Sequence, residues 1–350
     1  MPSPVRLLSL ATAVPPFLLR QEDVVERARH LFLANGADIE RMLPVYDNAG
    51  IRTRYSCVPI EWYNAPSGWK DRNALFIDNA VALLRRAAEQ CLTRAGVDAQ
   101  SVDTIVAVST SGIATPSLDA RLMEEMPFRR DVDRLPIFGL GCAGGVLGLA
   151  RAAAMARAAP GSLVLFLVVE LCGLTFRNKD VSKSNVVATA LFGDGAAAAL
   201  LACRRRGAEP EIAGWGEYTW PDSLEVMGWR VEEDGFGVLF SRDIPSIVRD
   251  RYGAAVDGFL ASHGLTRGDL DGTICHPGGA KVLDALEEVF GLPPGGMAES
   301  RQVLCDYGNM SAATIMFILE RALTRGLHGR HLMSSLGPGF TAGFALLEAG

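Results

Sequence analysis

The sequence has no long apolar run, no strong excess of charge and no cluster of cysteines. Its apolar runs, such as 163–169, have the length of a strand, whereas a membrane-spanning helix needs about 20 apolar residues. The net charge of −6 argues against a protein that binds nucleic acid and still allows a local basic site for an anionic ligand. We therefore expect neither membrane insertion nor nucleic-acid binding.

The seven cysteines are an odd number, and they are scattered along the chain. They have neither the even count of a disulfide framework nor the close spacing of a zinc site. The apolar patch in the first 20 residues is interrupted by Pro15 and Pro16, so it does not resemble a secretory signal. These features predict a cytoplasmic protein whose thiols are reduced.

The stretch 138–148 is the most informative one, because glycines surround Cys142 between a predicted strand and an alanine-rich helix. At such a junction the free backbone N–H groups and the positive helix end stabilise a thiolate and lower its pKa. A buried structural cysteine is the alternative interpretation, and this stretch alone does not decide between the two.

The elements that precede this stretch are typical of a layered α/β fold. Residues 5–11 read as a first strand, 21–35 as a helix, and 78–95 as an amphipathic helix that ends at a glycine. A buried strand is predicted for 104–109. The segment 41–69 contains three prolines and is expected to be an irregular surface excursion.

An internal repeat organises the whole chain. Three stretches of the first half recur in the same order in the second half. The first two pairs are about 168 positions apart, and the last pair is separated by fewer residues because the second half is shorter there. The repeat predicts a thiolase-like fold with two similar halves, 1–205 and 206–350, in a five-layered α-β-α-β-α stack. Equivalent loops of the halves then meet in one cleft, with Cys142 and Asn309 as counterparts. The matched pairs are 96–106 with 264–274, 140–142 with 307–309, and 191–195 with 336–339.

His276 completes a candidate catalytic set with Cys142 and Asn309. It follows the predicted strand 272–275 and precedes Pro-Gly-Gly. A lone histidine in this position is more often a hydrogen-bonded structural residue. The repeat, however, directs it to the same cleft, where an imidazole can pair with a thiol and a neutral amide can stabilise an oxyanion.

Five motifs together resemble the signatures of type III polyketide synthases, the chalcone and stilbene synthase superfamily. The resemblance implies a homodimeric acyltransferase that takes an acyl-CoA starter onto Cys142 and decarboxylates malonyl-CoA with His276 and Asn309. Phe192 is the implied aromatic gate; otherwise it is a core aromatic. The enolate attacks the acyl-cysteine, the condensation repeats before cyclisation, and no cofactor or metal is required. The motifs are LGCAGG (140–145), LFGDGA (191–196), HPGG (276–279), YGNMS (307–311) and GPG (337–339).

Departures from the plant pattern concern the substrate. Val238 stands where plant members carry a second gate phenylalanine, and Cys172 replaces one of two threonines, the other being Thr175. The basic residues that grip CoA phosphates are poorly matched, which leaves Arg52 and Arg54 as candidates. The segment 59–63 resembles enzymes that make alkylpyrones and alkylresorcinols from fatty acyl starters. Small residues are expected either to leave an apolar tunnel open or simply to pack closely: Gly112, Ala114, Cys172 and Gly228.

Further residues are expected at the substrate site. Thr115 is placed as a contact with the pocket of the second subunit, and four others are expected to line the substrate: Thr110, Ser311, Gly337 and Pro338. Two other functions remain open at this point. One is a single condensation with an acyl carrier protein, as in ketoacyl synthase III. The other is a non-catalytic binding protein with a thiolase fold.

Overall fold

The computed structural model describes residues 3–36, 39–65, 67–205 and 207–350. Arg206, at the predicted boundary between the halves, lies outside these residues. The first half contains seven strands and six helices over the described ranges. They are β1 (Val5–Ala13), β2 (Phe17–Arg20), α1 (Gln21–Ala34), α2 (Pro44–Asp47), β3 (Thr53–Ser56), α3 (Trp69–Ala95), β4 (Thr104–Val108), α4 (Leu118–Glu125), β5 (Asp133–Ile137), α5 (Gly144–Ala158), β6 (Leu163–Leu171), α6 (Lys183–Leu191) and β7 (Asp194–Cys203).

The second half continues with six strands and five helices in its described part. A π-helical turn, Val248–Tyr252, joins the first two helices. The elements are β8 (Glu211–Thr219), β9 (Met227–Glu232), β10 (Gly235–Phe240), α7 (Ile244–Ile247), α8 (Gly253–Ser262), β11 (Gly272–Cys275), α9 (Ala280–Val289), α10 (Ala298–Tyr307), α11 (Thr314–Thr324), β12 (Gly329–Gly337) and β13 (Thr341–Ala349).

One nine-stranded sheet runs through both halves in the order β11-β12-β13-β8-β1-β7-β6-β4-β5. The halves join between β1 and β8 through the single pair Arg6 and Glu211. In the first half β4 is parallel to β5 and β6, and in the second half β11 is parallel to β12. Two short two-stranded antiparallel sheets, β2-β3 and β9-β10, lie outside the main sheet.

The predicted five layers are confirmed by which residues pack together. Helices α5 and α11 form the middle layer and bury one face of each half of the sheet. Helix α3 covers the outer face of the first half, and α8 and α9 cover that of the second. A methyl group at Gly145 of α5 would collide with the Ala312 carbonyl, so the middle layer requires a glycine there. Each sheet half is thus buried on both faces.

The segment 41–69 differs from its prediction as a surface excursion. It contains α2 and β3, and Tyr46 and Arg54 within it are almost fully buried. Strand β3 pairs with β2, and the residues that follow β3 pack against the first half. Pro44 is the first residue of α2, and Pro59 directly precedes the 3₁₀ turn Ile60–Asn64, whereas Pro66 lies outside the described residues. The other predicted helices and strands are present, although α3 begins at Trp69, earlier than predicted.

The repeat is offset by three residues from the predicted match of Cys142 with Asn309. In the first half, Gly141 has a φ of 47° and opens the 3₁₀ turn Gly141–Ala143 before α5. In the second half, Ser311 has the same φ and opens the turn Ser311–Ala313 before α11. Gly141 therefore corresponds to Ser311, and Cys142 to Ala312. Asn309 precedes the turn, but it still faces the cleft.

Candidate active site

Cys142 lies in the 3₁₀ turn at the start of α5, where the main chain is tightly packed. The Gly141 N–H donates to Oγ1 of Thr110 at 3.0 Å. A Cβ atom at Gly141 would lie 2.5 Å from Cδ of Pro338, and its positive φ also favours glycine. Gly337 is in similar contact with Ala143. The Gly-Pro-Gly stretch therefore packs against the turn that presents the thiol.

A short series of contacts connects Cys142 to the second half. Its Sγ lies 3.5 Å from Oγ of Ser311, and the Ser311 N–H donates to Oδ1 of Asn309 at 2.8 Å. Nδ2 of Asn309 donates to the Gly278 carbonyl at 3.3 Å, and the Gly278 N–H donates to the His276 carbonyl at 3.2 Å. The three residues predicted to act together thus belong to one contact series.

The imidazole of His276 is buried, and its ring nitrogens make no hydrogen bonds within the described residues. Only 4% of the residue is exposed, and neither ring nitrogen has a partner among the described residues. Burial lowers the pKa of His276 to about 3, so the imidazole is neutral at physiological pH. A neutral imidazole has one N–H donor and one acceptor. The alternative of a hydrogen-bonded structural histidine does not fit these unpaired nitrogens.

The predicted lowering of the Cys142 pKa is wrong. Burial raises the pKa of the thiol to about 11, and the contact with Ser311 only partly opposes this. The nearby carboxylate of Glu170 raises it further, whereas Asn309 lowers it. Because the thiol and the imidazole are both neutral at rest, ionisation of Cys142 requires a proton acceptor.

Phe192 lies at the junction of the two halves, beside Asn309. The two residues form an isolated parallel β-bridge. The Phe192 ring lies 6.0 Å from Trp229 and 5.8 Å from Phe240, measured between centroids. Sequence reasoning missed both of these rings. It pointed instead to Val238, which is half-buried and two residues away on the same strand, so the loss of a ring there is offset by Phe240.

Glu170 is a third residue that sequence reasoning missed. It is fully buried at the end of β6, and its Oε2 accepts hydrogen bonds from the N–H groups of Thr110 and Ser111 at 3.0 and 2.9 Å. Burial raises its pKa to about 7. Glu170 thereby fixes the loop whose Thr110 hydroxyl holds Gly141. The sequence did contain a signal for this role, because Glu170 is the single charged residue in the apolar run 163–171 and charged residues are rarely buried without partners.

An apolar cavity adjoins the site on the side of Phe192. Cys172 and Thr175, which the sequence predicts as substrate contacts, line it at this end. At the other end it is lined by α1 and by the turn Ile60–Asn64, where Arg27 donates to Oδ1 of Asn64. The lining is mainly apolar and includes Ala28, Leu31, Phe32, Tyr63, Phe176 and Ala188.

Other predicted substrate residues have mixed positions. Gly228 faces Pro338, and a Cβ atom there would make only an ordinary contact of 3.8 Å, so space is available. Gly112 does not open a tunnel, because a Cβ atom there would overlap the Phe76 ring. Ala114 is half-buried, and Thr115 lies in an exposed loop.

The candidate phosphate ligands also differ from each other. Arg52 is exposed and pairs with Asp306 at 2.9 Å, so it remains accessible to a ligand. Arg54 is only 4% exposed, and its Nη1 and Nη2 groups are engaged by the main-chain carbonyls of Thr189, Phe192 and Ala190. The expectation that Arg54 grips CoA is therefore wrong. Over the described ranges, no helix is long and apolar enough to cross a membrane, and no group of three potential metal ligands is present.

Comparison with known families matches almost the whole chain. The N-terminal domain of chalcone and stilbene synthases matches residues 3–205, and the C-terminal domain matches residues 216–347. The chain belongs to the chalcone and stilbene synthase family. It is therefore a type III polyketide synthase, an acyl-transferring enzyme that uses CoA thioesters and condenses malonyl-CoA iteratively.

Individual members of the family show the same extent of similarity. The chain is 40% identical to the 1,3,6,8-tetrahydroxynaphthalene synthase of Streptomyces peucetius subsp. caesius, over 96% of this chain and 91% of that protein. The crystal structure of the corresponding Streptomyces coelicolor A3(2) enzyme has a TM-score of 0.90 at 30% identity, covering 98% and 99% of the two chains. PKS-I of the brown alga Ectocarpus siliculosus has a TM-score of 0.91 at 26% identity, covering 100% and 99%.

Proposed function

We propose that this type III polyketide synthase loads a fatty acyl starter from acyl-CoA onto Cys142. Several malonyl-CoA units then extend the chain, and it cyclises to an alkylpyrone or an alkylresorcinol. The observation that supports this choice is the apolar cavity that adjoins the site at Phe192, Cys172 and Thr175. An alkyl chain without polar groups is the ligand that such a lining favours, because its burial is driven by the hydrophobic effect.

In the loading step, Sγ of Cys142 attacks the thioester carbonyl of the starter. The new carbon–sulfur bond replaces the bond to CoA, which leaves as a thiolate. The thiol proton passes to His276, whose free ring nitrogens support this role. Once the thiolate forms, its charge raises the proton affinity of a nearby imidazole. Later transfer of this proton to the leaving CoA thiolate restores the neutral imidazole.

In the extension step, the malonyl thioester carbonyl accepts hydrogen bonds from His276 and Asn309. The carbon–carbon bond to the carboxylate breaks and carbon dioxide leaves. The electron pair of the broken bond stays on the remaining fragment as an enolate, which the two donors stabilise. The enolate carbon attacks the acyl-Cys142 carbonyl and releases the cysteine. Phe192 offers an apolar surface to the carboxylate, which favours its loss in a site that excludes water.

We also propose that the enzyme acts as a homodimer in which Thr115 reaches the site of the partner. Strand β5 is an edge of the large sheet, and an unpaired edge favours association with a second strand. Two large apolar residues nearby are exposed, Phe138 at 57% and Ile113 at 48%. Light scattering of the purified protein tests this, and a monomer that condenses normally would contradict it.

Mass spectrometry of the products tests the proposed function. The enzyme is supplied with malonyl-CoA and a panel of acyl-CoA starters of 2 to roughly 18 carbons, without acyl carrier protein. We expect alkylpyrones or alkylresorcinols from the longer starters. A product made from malonyl-CoA alone would contradict the fatty acyl starter, as would 1,3,6,8-tetrahydroxynaphthalene, for which the Streptomyces relative is named. A requirement for acyl carrier protein with a single condensation would instead support the ketoacyl synthase III alternative.

A further inference from the structure

The buried side chain of Arg54 holds main-chain carbonyls beside the site. Its Nη1 donates to the carbonyl oxygens of Thr189 and Phe192 at 2.8 and 2.9 Å, and its Nη2 donates to that of Ala190 at 2.8 Å. Nη2 also donates to Oε1 of Gln21. A guanidinium carries its donors in a rigid plane, so one side chain fixes the relative positions of several acceptors.

These acceptors belong to the end of α6 and the residue that follows it. Thr189 and Ala190 lie in the last turn of α6, where carbonyl groups lack partners within the helix. A cation at this end also interacts favourably with the helix dipole. Because the Phe192 carbonyl is bound by the same guanidinium, Arg54 determines how the chain leaves α6 and where the Phe192 main chain lies.

Arg54 also lies against the segment that carries Asn309. Cβ atoms built at Gly193 and Gly308 would lie 3.3 and 3.4 Å from Cβ of Arg54. Here the Asn309 N–H donates to the Leu191 carbonyl at 2.8 Å, and the Gly193 N–H donates to the Asn309 carbonyl at 3.0 Å. A shift of the chain at Phe192 is therefore transmitted directly to Asn309.

Asp194 is the carboxylate that acts electrostatically on Arg54, but its oxygens are hydrogen-bonded to other groups. The two oxygens of Asp194 accept hydrogen bonds from the N–H groups of Cys57 and Gly173, at 2.9 and 2.8 Å. Asp194 stabilises the charge of Arg54 from a distance. The directional hydrogen bonds of Arg54 are thus committed to the chain around Phe192.

We propose that Arg54 is a positioning residue for the extension step, acting through the main chain of Phe192 and the bridge to Asn309. The inference rests on the proposed function, in which Phe192 and Asn309 act on the malonyl thioester. Cys142 is presented by other contacts, through Thr110 and Pro338. Arg54 also lines the apolar cavity proposed for the starter, so acylation is measured with a short starter that does not fill it. Loss of Arg54 therefore impairs decarboxylation much more than it impairs acylation of Cys142 by this short starter.

The test compares Arg54→Met, Arg54→Lys and the control Arg267→Met. Arg267 likewise donates to main-chain carbonyls, those of Gly253 and Val289, but lies in the outer layer of the second half. Two rates are measured: Cys142 acylation by intact-protein mass spectrometry, and decarboxylation of malonyl-CoA as kcat and KM. For Arg54→Met we expect kcat for decarboxylation to fall about tenfold or more, with KM and the acylation rate within about threefold.

Arg54→Lys is expected to lose about threefold in the same kcat, because one ammonium group cannot hold the three carbonyls in the same plane. It also serves as the test if Arg54→Met does not fold. The control should leave the ratio of the two rates unchanged. The proposal is overturned if both Arg54 variants lower acylation and decarboxylation equally, or change neither. A wild-type enzyme that shows neither reaction would instead overturn the proposed function.

Discussion

Phe192 of the first half and Asn309 of the second half lie side by side in a β-bridge, which is isolated from the main sheet. The bridge joins the aromatic wall of the site to the amide proposed to stabilise the enolate. Asn309 is fully buried, and its side-chain oxygen is held by the Ser311 N–H. One hydrogen of its Nδ2 group is donated to the Gly278 carbonyl, and the second is left to donate to a substrate oxygen, which leads to the first prediction.

Asn309→Asp should lower kcat for condensation by about 100-fold or more, because a carboxylate repels the developing enolate and lacks the amide donor. The measurement is product formation together with the rate of Cys142 acylation, which should fall much less. Asn309→Gln is the matched variant, since it keeps the amide but displaces it. Condensation by Asn309→Asp at the wild-type rate would contradict the proposed role.

His276→Gln should slow alkylation of Cys142 by iodoacetamide at neutral pH about tenfold or more. Burial raises the pKa of Cys142 to about 11, so reactive thiolate forms only when a neighbouring base takes the proton. Labelling is followed by peptide mass spectrometry, with Cys305 as an internal reference thiol that is also partly exposed. An unchanged labelling rate at Cys142 would show that His276 is not the acceptor.

Ala188→Phe should shift the starter preference from long to short acyl chains. Ala188 lines the cavity, whereas the preceding residue of the same helix, the half-buried Val187, does not, so Val187→Phe is the control. We expect kcat/KM for a long starter of roughly 14 carbons, relative to a short one of roughly 6, to fall about tenfold in Ala188→Phe alone. An equal loss for every starter would indicate overpacking rather than an occupied alkyl cavity.

Glu170→Gln should change how stability depends on pH. Burial raises the pKa of Glu170 from 4.5 to about 7. Between these values the folded state binds more protons than the unfolded state, so its stability falls as the pH rises. The wild type should therefore lose up to about 3 kcal/mol of unfolding free energy relative to Glu170→Gln across this pH range. Denaturant unfolding at several pH values measures this, and parallel curves would contradict it.

Gly141→Ala should abolish condensation and destabilise the protein by about 2–4 kcal/mol, from the left-handed backbone and the overlap with Pro338. Gly139→Ala is the control for backbone strain, because Gly139 also has a positive φ but a Cβ atom there meets nothing within 4 Å. Thermal unfolding and Cys142 acylation are measured for both. Equal effects would show that contact with Pro338 is unimportant.

Much of the fold follows from local sequence patterns. The apolar periodicity predicted α1, β4 and β6 close to their observed bounds, because these elements bury one stripe or both faces in the expected way. The repeat predicted that the two halves converge, and it directed His276 and Asn309 to the cleft of Cys142. The repeat in the sequence did not predict the offset of three residues. The equivalent backbone turns begin at Gly141 and at Ser311, and these two residues have different side chains.

The sequence by itself determined the layered fold, the candidate catalytic residues and the family, because these depend on periodicity and on short motifs with restricted backbone geometry. Tertiary structure decided which side chains become buried and which rings meet. Arg54 lies in a short strand with no local signal for burial, and the ring beside Phe192 on β10 belongs to Phe240. The pKa of Cys142 was also decided there, since desolvation depends on neighbours that are distant in sequence.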